Sequence, residues 1–234
     1  MLIRNLVRVC LIRSRLILLV ALSLVYALGN AVSAQEVVVV DFVQAKKRVP
    51  AGWELKESEG KADLDLVPDG GSQALKLRSR SASFSLNREL EVDLKQTPYV
   101  EWQWKVTELP KGGDFRESSS NDQAAQLLVV FHWSLFKKQV IAYVWDTTAP
   151  KGSKADDPSS SGVPFLTIKT VVVESGDAEK GKWITETRNV VEDYKALFGD
   201  EPEKVEAIRI QINSQHTESQ AESYWRSVRF KAHP

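Results

Sequence analysis

Cysteine is all but missing from this sequence. The only one among 234 residues is Cys10, inside the N-terminal segment that ends at Ala34. Beyond that segment there is no disulfide framework, no thiol nucleophile and no cysteine-ligated metal. Histidine is nearly as scarce: only His132, His216 and His233 occur, and no two stand at metal-ligand spacing. Gly-x-Ser-x-Gly, phosphate-cradling glycine loops and HExxH do not occur, which removes common signatures of hydrolases, nucleotide enzymes and zinc proteases. Net charge is missing too, with 31 basic residues against 31 acidic. Without a basic excess the chain lacks the electrostatic footprint of a nucleic-acid binder or of a protein steered to anionic membranes.

The first feature present is an address. Arg4, Arg8, Arg13 and Arg15 lead into the apolar run Leu16–Leu28, and Val32-Ser33-Ala34 follows. Basic, then apolar, then small is the order of a secretory signal. The run is 13 residues long, against roughly 20 for a membrane span; an uncleaved anchor stands as the alternative. Cleavage after Ala34 predicts a periplasmic or secreted protein with one mature domain, Gln35–Pro234, free of the membrane. Its 200 residues can bury a core without disulfides. Loss of the four leader arginines leaves 27 basic residues against 31 acidic, a mildly acidic surface of mixed sign.

Beyond Ala34 the chain alternates apolar and polar residues in short runs broken by turns. In Val100–Val106, Trp102, Trp104 and Val106 take one face and Glu101, Gln103 and Lys105 the other, the period of a half-buried strand. Val205–Asn213 repeats the pattern, with Ile208, Ile210 and Ile212 against Arg209 and Gln211. Comparable runs are Glu36–Phe42, Ala74–Ser79, Ala82–Leu86, Glu89–Leu94, Leu127–Trp133, Gln139–Asp146, Pro164–Glu174, Trp183–Val190 and Ser223–Lys231. Pro68-Asp69-Gly70-Gly71 is a turn. One short helix is predicted at Val191–Phe198, stopped by Gly199. The fold class is all-β: an antiparallel β-sandwich, or jelly roll, with one short helix. Two polar loops, Lys111–Asp122 and Thr147–Val163, have the length of mobile surface or ligand lids.

An ordered set of motifs carries a family resemblance. It runs through Leu90-Glu91-Val92-Asp93-Leu94, Thr97-Pro98-Tyr99-Val100-Glu101-Trp102-Gln103-Trp104, Asn121-Asp122-Gln123-Ala124, Tyr143-Val144-Trp145, Glu174-Ser175-Gly176, Arg188-Asn189-Val190, Asp193-Tyr194 and Phe198-Gly199. The chain resembles, over roughly Asp41 to Phe230, a bacterial exported family known as domain of unknown function 3047. The resemblance implies a jelly roll similar to galactose-binding-like and carbohydrate-binding modules, and it implies no activity. One departure stands out. Where the family tends to carry an acidic pair after the penultimate strand, this chain has Asn213-Ser214-Gln215-His216-Thr217, so a metal or charge-based role there is in doubt.

Leu127–Trp133 and Gln139–Asp146 read as a hairpin. Pairing Phe131 with Ile141, Val129 with Tyr143 and Leu127 with Trp145 creates two faces. One is aromatic (Phe131, Trp133, Tyr143, Trp145); the other is aliphatic (Leu128, Val130, Ala142, Val144) and reads as sandwich core. The aromatic face is either a second packed layer or, through Trp133, Tyr143 and Trp145, the floor of a glycan groove. Gln103, Lys105, Arg209 and Gln211 are either solvated surface or the donors and acceptors such a groove offers to sugar hydroxyls. Asp114, Arg116 and Asp122 either hold the first loop's shape or touch ligand. Arg188-Asn189 before Asp193-Tyr194 reads as a salt-bridged strand end and helix cap. Asp41 is the candidate for a structural Ca²⁺ at the sandwich rim, although no acidic stretch has calcium-loop spacing; no other cofactor is called for. A lyase would need Tyr143, His132 and Arg209 together, and the pairing puts Tyr143 and His132 on opposite faces. The expectation is an exported, non-catalytic module that binds a polysaccharide or oligosaccharide. A protein-interaction or envelope-assembly module and an unrecognised polysaccharide lyase are the alternatives.

Overall fold

Alternation of period two gives each strand one apolar face, and two sheets bury those faces against each other. A computed structural model describes residues 35–131 and 137–234; residues 1–34 with Cys10, and the candidates His132 and Trp133, lie outside the described residues. The first sheet runs β11 (Ile184–Asn189), β6 (Tyr99–Glu108), β13 (Gln220–Lys231), β4 (Ser72–Arg80) and β3 (Asp63–Asp69), with β1 (Glu36–Asp41) also on β13. β13 is long enough to pair with β6 on one side and with two strands in turn on the other. β4 takes Gln220–Trp225 and β1 takes Ser227–Lys231. The second sheet runs β2 (Glu54–Glu59), β5 (Ser83–Val92), β12 (Val205–Asn213), β7 (Ala125–Phe131), β8 (Lys138–Asp146), β10 (Leu166–Ser175) and β9 (Lys154–Asp156).

The all-β sandwich is as expected, with one departure from a purely antiparallel arrangement: β8 and β10 are parallel. Parallel neighbours need a crossover between them. The long second loop supplies it, and its middle adds β9 to the edge of β10. The helix α1 spans Val190–Phe198. Asn189 caps it by accepting from the backbone N–H groups of Val191 and Glu192, and Gly199 ends it at φ 74°, a left-handed conformation that suits glycine.

The β7–β8 hairpin pairs Leu127 with Tyr143, Val129 with Ile141 and Phe131 with Gln139, two residues away from the expected register. An even shift leaves each strand's facing unchanged. Of the two readings of the aromatic face, packing holds and the glycan floor does not, while the aliphatic face, expected as sandwich core, lies outside the two sheets. The aromatic face points between the sheets: Phe131, Tyr143 and Trp145 are fully buried there with Trp102, Trp104 and Trp225 of the first sheet. Large rings fill the inter-sheet layer (about 10 Å thick), and short aliphatic residues are left on the outside.

That aliphatic outer face is not bare. Leu128, Val140, Ala142, Val144 and Val172 form a second cluster with Phe115 and Ala149, one from each polar loop. Both loops are pinned to the second sheet. The buried Asp146 carboxylate accepts from the backbone N–H of Phe115 (2.9 Å), Thr148 (2.8 Å) and Ala149 (2.7 Å), joining both loops to the end of β8. Asn121 Nδ2 donates to Asp157 Oδ1 at 2.9 Å, and Thr170 of β10 donates to Asp157 Oδ2 at 3.0 Å. Gly113 is needed where the first loop doubles back, because a Cβ there would lie 2.4 Å from the Asp122 carbonyl oxygen. Together the loops make a third layer over one end of the second sheet.

Candidate binding groove

The loops cover only one end of the second sheet's outer face, and among the described residues the other end is open. There β2, β5, β12, β7, β8 and β10 form the floor and sides of a groove of about 600 Å³. It runs into a shallower depression of about 570 Å³, with Glu89, Val130, Lys138 and Ala207 lining both. Alternation sets which side chains face it. Ile208 and Ile210 of β12 and Leu86 of β5 point into the core, so Arg209 and Asn87 point out. Leu128, Val130, Val140 and Ile168 supply an apolar floor, while Glu54, Lys56 and Glu89 stand exposed at the sides.

Arg209 is the unusual member. Its Nε donates to Asn87 Oδ1 at 2.6 Å, and Asn87 Nδ2 in turn donates to Ser85 Oγ at 3.2 Å. Among the described residues no carboxylate pairs with its guanidinium and no other hydrogen bond engages it. Burial alone pushes its pKa down. A cation half sunk into an apolar floor without an anion costs stability, and its free donors face the groove.

The other candidate residues are not gathered at one place. Gln211 shares the outer face of β12 with Arg209. Gln103 and Lys105 lie on the outer face of the first sheet, across the whole sandwich. Gln103 Nε2 donates to Thr185 Oγ1 at 3.2 Å. Lys105 is buried, pairs with Asp69 at 2.5 Å and stands over the rings of Tyr224 (4.3 Å) and Trp183 (5.2 Å); it has no freedom to meet a ligand. Tyr143 and Trp145 lie in the core between these two faces, both 0 % exposed, so no sugar ring stacks on them. Tyr143 and Arg209 therefore cannot serve one lyase site.

The first-loop residues hold structure. Arg116 clasps Asp114 with Nε at 2.8 Å and a terminal nitrogen at 2.6 Å. Asp122, fully buried, accepts from Thr217 N (2.7 Å), Thr217 Oγ1 (2.8 Å) and Asn213 Nδ2 (3.0 Å). The polar turn Asn213–Thr217 wraps this single carboxylate. Asp41 Oδ1 closes its own turn by accepting from Val43 N at 2.9 Å. Among the described residues no three His, Asp or Glu side chains converge as metal ligands. Sequence reasoning passed over Asn87, Lys56 and Ile168; their alternation was visible, but not which sheet face stayed open.

Residues 51–229 match the model of a family described as "Protein of unknown function (DUF3047)". The chain belongs to that family. The matched span includes every groove residue named above. No curated protein sequence matches the chain. Among solved structures, the chain is similar to the family 11 carbohydrate-binding module of the cellulosomal cellulase Lic26A-Cel5E of Clostridium thermocellum, at 8% identity and a TM-score of 0.45, covering 85% of this chain and 95% of that one. It is similar to an engineered Cel12A cellulase derived from Rhodothermus marinus, at 10% identity and a TM-score of 0.45, covering 84% and 99%. It is also similar to the family 30 carbohydrate-binding module of a second C. thermocellum cellulosomal cellulase, at 12% identity and a TM-score of 0.41, covering 84% and 96%.

Within the family domain, a pair of carboxyl groups sits away from the groove. Glu186 of β11 meets Glu174 of β10, which also pairs with Lys151. Burial, then the neighbouring Glu174 charge, raises the Glu186 carboxyl from 4.5 to about 7, and its Oε1 has no hydrogen-bond partner. Between these values the folded protein keeps a proton that the unfolded chain has released. Stability therefore falls as pH rises through that window and levels off above it. Glu186→Gln removes this titration. Thermal melts across pH 4 to 9 are expected to show the variant more stable than the parent at pH 8 and closest to it near pH 4. Parallel curves would show that Glu186 does not titrate in this way.

Proposed function

We propose that this protein is an exported, non-catalytic binding protein for a polysaccharide or oligosaccharide, and that its ligand lies in the groove on the second sheet's outer face. The observation that carries this reading is Arg209, braced by Asn87 on the apolar floor with donors left over. Polar groups few in number and fixed in place on an apolar surface are the usual make-up of a ligand site. The floor offers the partly exposed Val130 and Ile168 to the C–H faces of a sugar ring. Arg209, Asn87 and the side residues Lys56 and Glu54 offer hydrogen bonds to its hydroxyls. A groove that continues into a second depression suits a chain rather than a single sugar. The signal-like leader suits a ligand met outside the cytoplasm.

Affinity electrophoresis and titration calorimetry against a panel of neutral and charged polysaccharides test this. Val130→Trp fills the groove from a half-exposed floor position. Saturable binding by the parent, absent in Val130→Trp at unchanged melting temperature, is the expected result. No binding across the panel would sink the carbohydrate reading and turn attention to a protein partner.

A further inference from the structure

Resting on the groove reading above, we infer that the ligand is an anionic polysaccharide and that Arg209 reads its charge. Three other partly buried arginines of the described residues face acids, while Arg88 and Arg226 donate to the backbone carbonyls of Val39 and Asp69. Arg78 meets Glu222 and Asp63, Arg188 meets Asp193, and Arg229 meets Glu36 and Glu101. Arg209 alone among these meets only an amide, Asn87. Glu54 and Glu89, the acids that line the groove, form no ion pair with it.

The way Arg209 is held matters as much as its isolation. Asn87 takes the Nε–H and fixes the plane of the guanidinium. The two terminal nitrogens are left as a fork, the geometry that matches a carboxylate or sulfate bidentately. A hydroxyl group offers a hydrogen bond but cannot neutralise the cation, so a neutral glycan would leave most of its desolvation cost in place. An anionic group removes it. The aliphatic floor strengthens that pair by excluding water around it. Uronic acid carboxylates and sugar sulfates share this chemistry.

The test uses affinity electrophoresis of the purified protein in gels containing polygalacturonate (carboxylate), dextran sulfate (sulfate) or plain dextran and laminarin (neutral), at low and high salt. The expected result is retardation by one or both anionic polymers, weakened by salt, with neither neutral polymer bound. Which anionic gel retards the protein tells carboxylate from sulfate. Arg209→Met is expected to weaken anionic binding roughly tenfold to a hundredfold, as befits loss of a charge-assisted pair, while the melting temperature stays level or rises. Arg209→Gln serves as the second variant and should behave alike. Neutral and anionic polymers bound equally, with binding lost in Val130→Trp but kept in Arg209→Met, would overturn the inference and leave the groove reading standing. A fall in melting temperature in both Arg209 variants would also overturn it, by making Arg209 a structural residue. Binding of no polymer by the parent would bring down both.

Discussion

Trp104→Ala is expected to destabilise the protein by roughly 3–5 kcal/mol, a large share of the 5–15 kcal/mol that holds a typical domain together. Trp104 is fully buried at the centre of the inter-sheet layer. Its ring meets Trp102 edge-on at 5.4 Å, Trp225 at 5.3 Å and Trp145 at 6.0 Å. Deleting it opens a cavity walled by three other large rings, none of which can turn into the space without leaving its own neighbours. Trp104→Phe should cost much less. It keeps an aromatic ring in the cluster, and it removes an indole N–H that has no hydrogen-bond partner and so is a liability where it stands. Urea unfolding followed by circular dichroism separates the two. If Trp104→Ala unfolds at the parent's midpoint, the aromatic layer does not carry the fold.

The residues that made the fold legible are those with strict alternation. Trp102 and Trp104, or Ile208, Ile210 and Ile212, announce both a strand and its buried side, and every such assignment agrees with the described core. The helix was legible because Asn189 and Gly199 mark its ends. What alternation does not tell is which of two apolar faces is inner. In the β7–β8 hairpin both faces are apolar, and the choice was settled by residues far away in sequence. Phe115 and Ala149 cover the aliphatic side, while Trp102 and Trp104 claim the aromatic side. The same ignorance scattered the candidate site. Gln103 and Arg209 have identical local patterns, yet their strands belong to opposite sheets, so their polar faces look in opposite directions. The anchoring of the loops was not legible because their polar residues look like surface. Asp122, Asp146 and Asp157 spend their carboxylates on backbone and amide donors inside the protein, a use that no local spacing reveals.

Arg188→Met is expected to be the second severe variant, and it tests how the two sheets are tied to the helix. Arg188, in β11 of the first sheet, grips Asp193 of α1 with Nε at 2.8 Å and a terminal nitrogen at 2.5 Å. Tyr143, in β8 of the second sheet, donates its hydroxyl to the same carboxylate at 2.9 Å. Burial first, and then the Asp193 charge, pushes the Tyr143 pKa well above 10, so the tyrosine stays a donor throughout the physiological range. The Asp193 side chain is only 8% exposed. Without Arg188 it becomes a buried carboxylate with one side-chain hydrogen bond, and breaking a buried pair from one side typically costs about 3–5 kcal/mol. Adding Asp193→Asn to Arg188→Met should restore part of the loss at pH 7, because the amide carries no charge to leave unpaired. The coupling between the two positions, read from a double-mutant cycle of urea midpoints, is therefore expected to be large. Additive losses, with the double variant weaker than Arg188→Met alone, would mean that Arg188 contributes through packing over the Tyr143 ring, 5.9 Å away, and that the ion pair does not hold β11, β8 and α1 together.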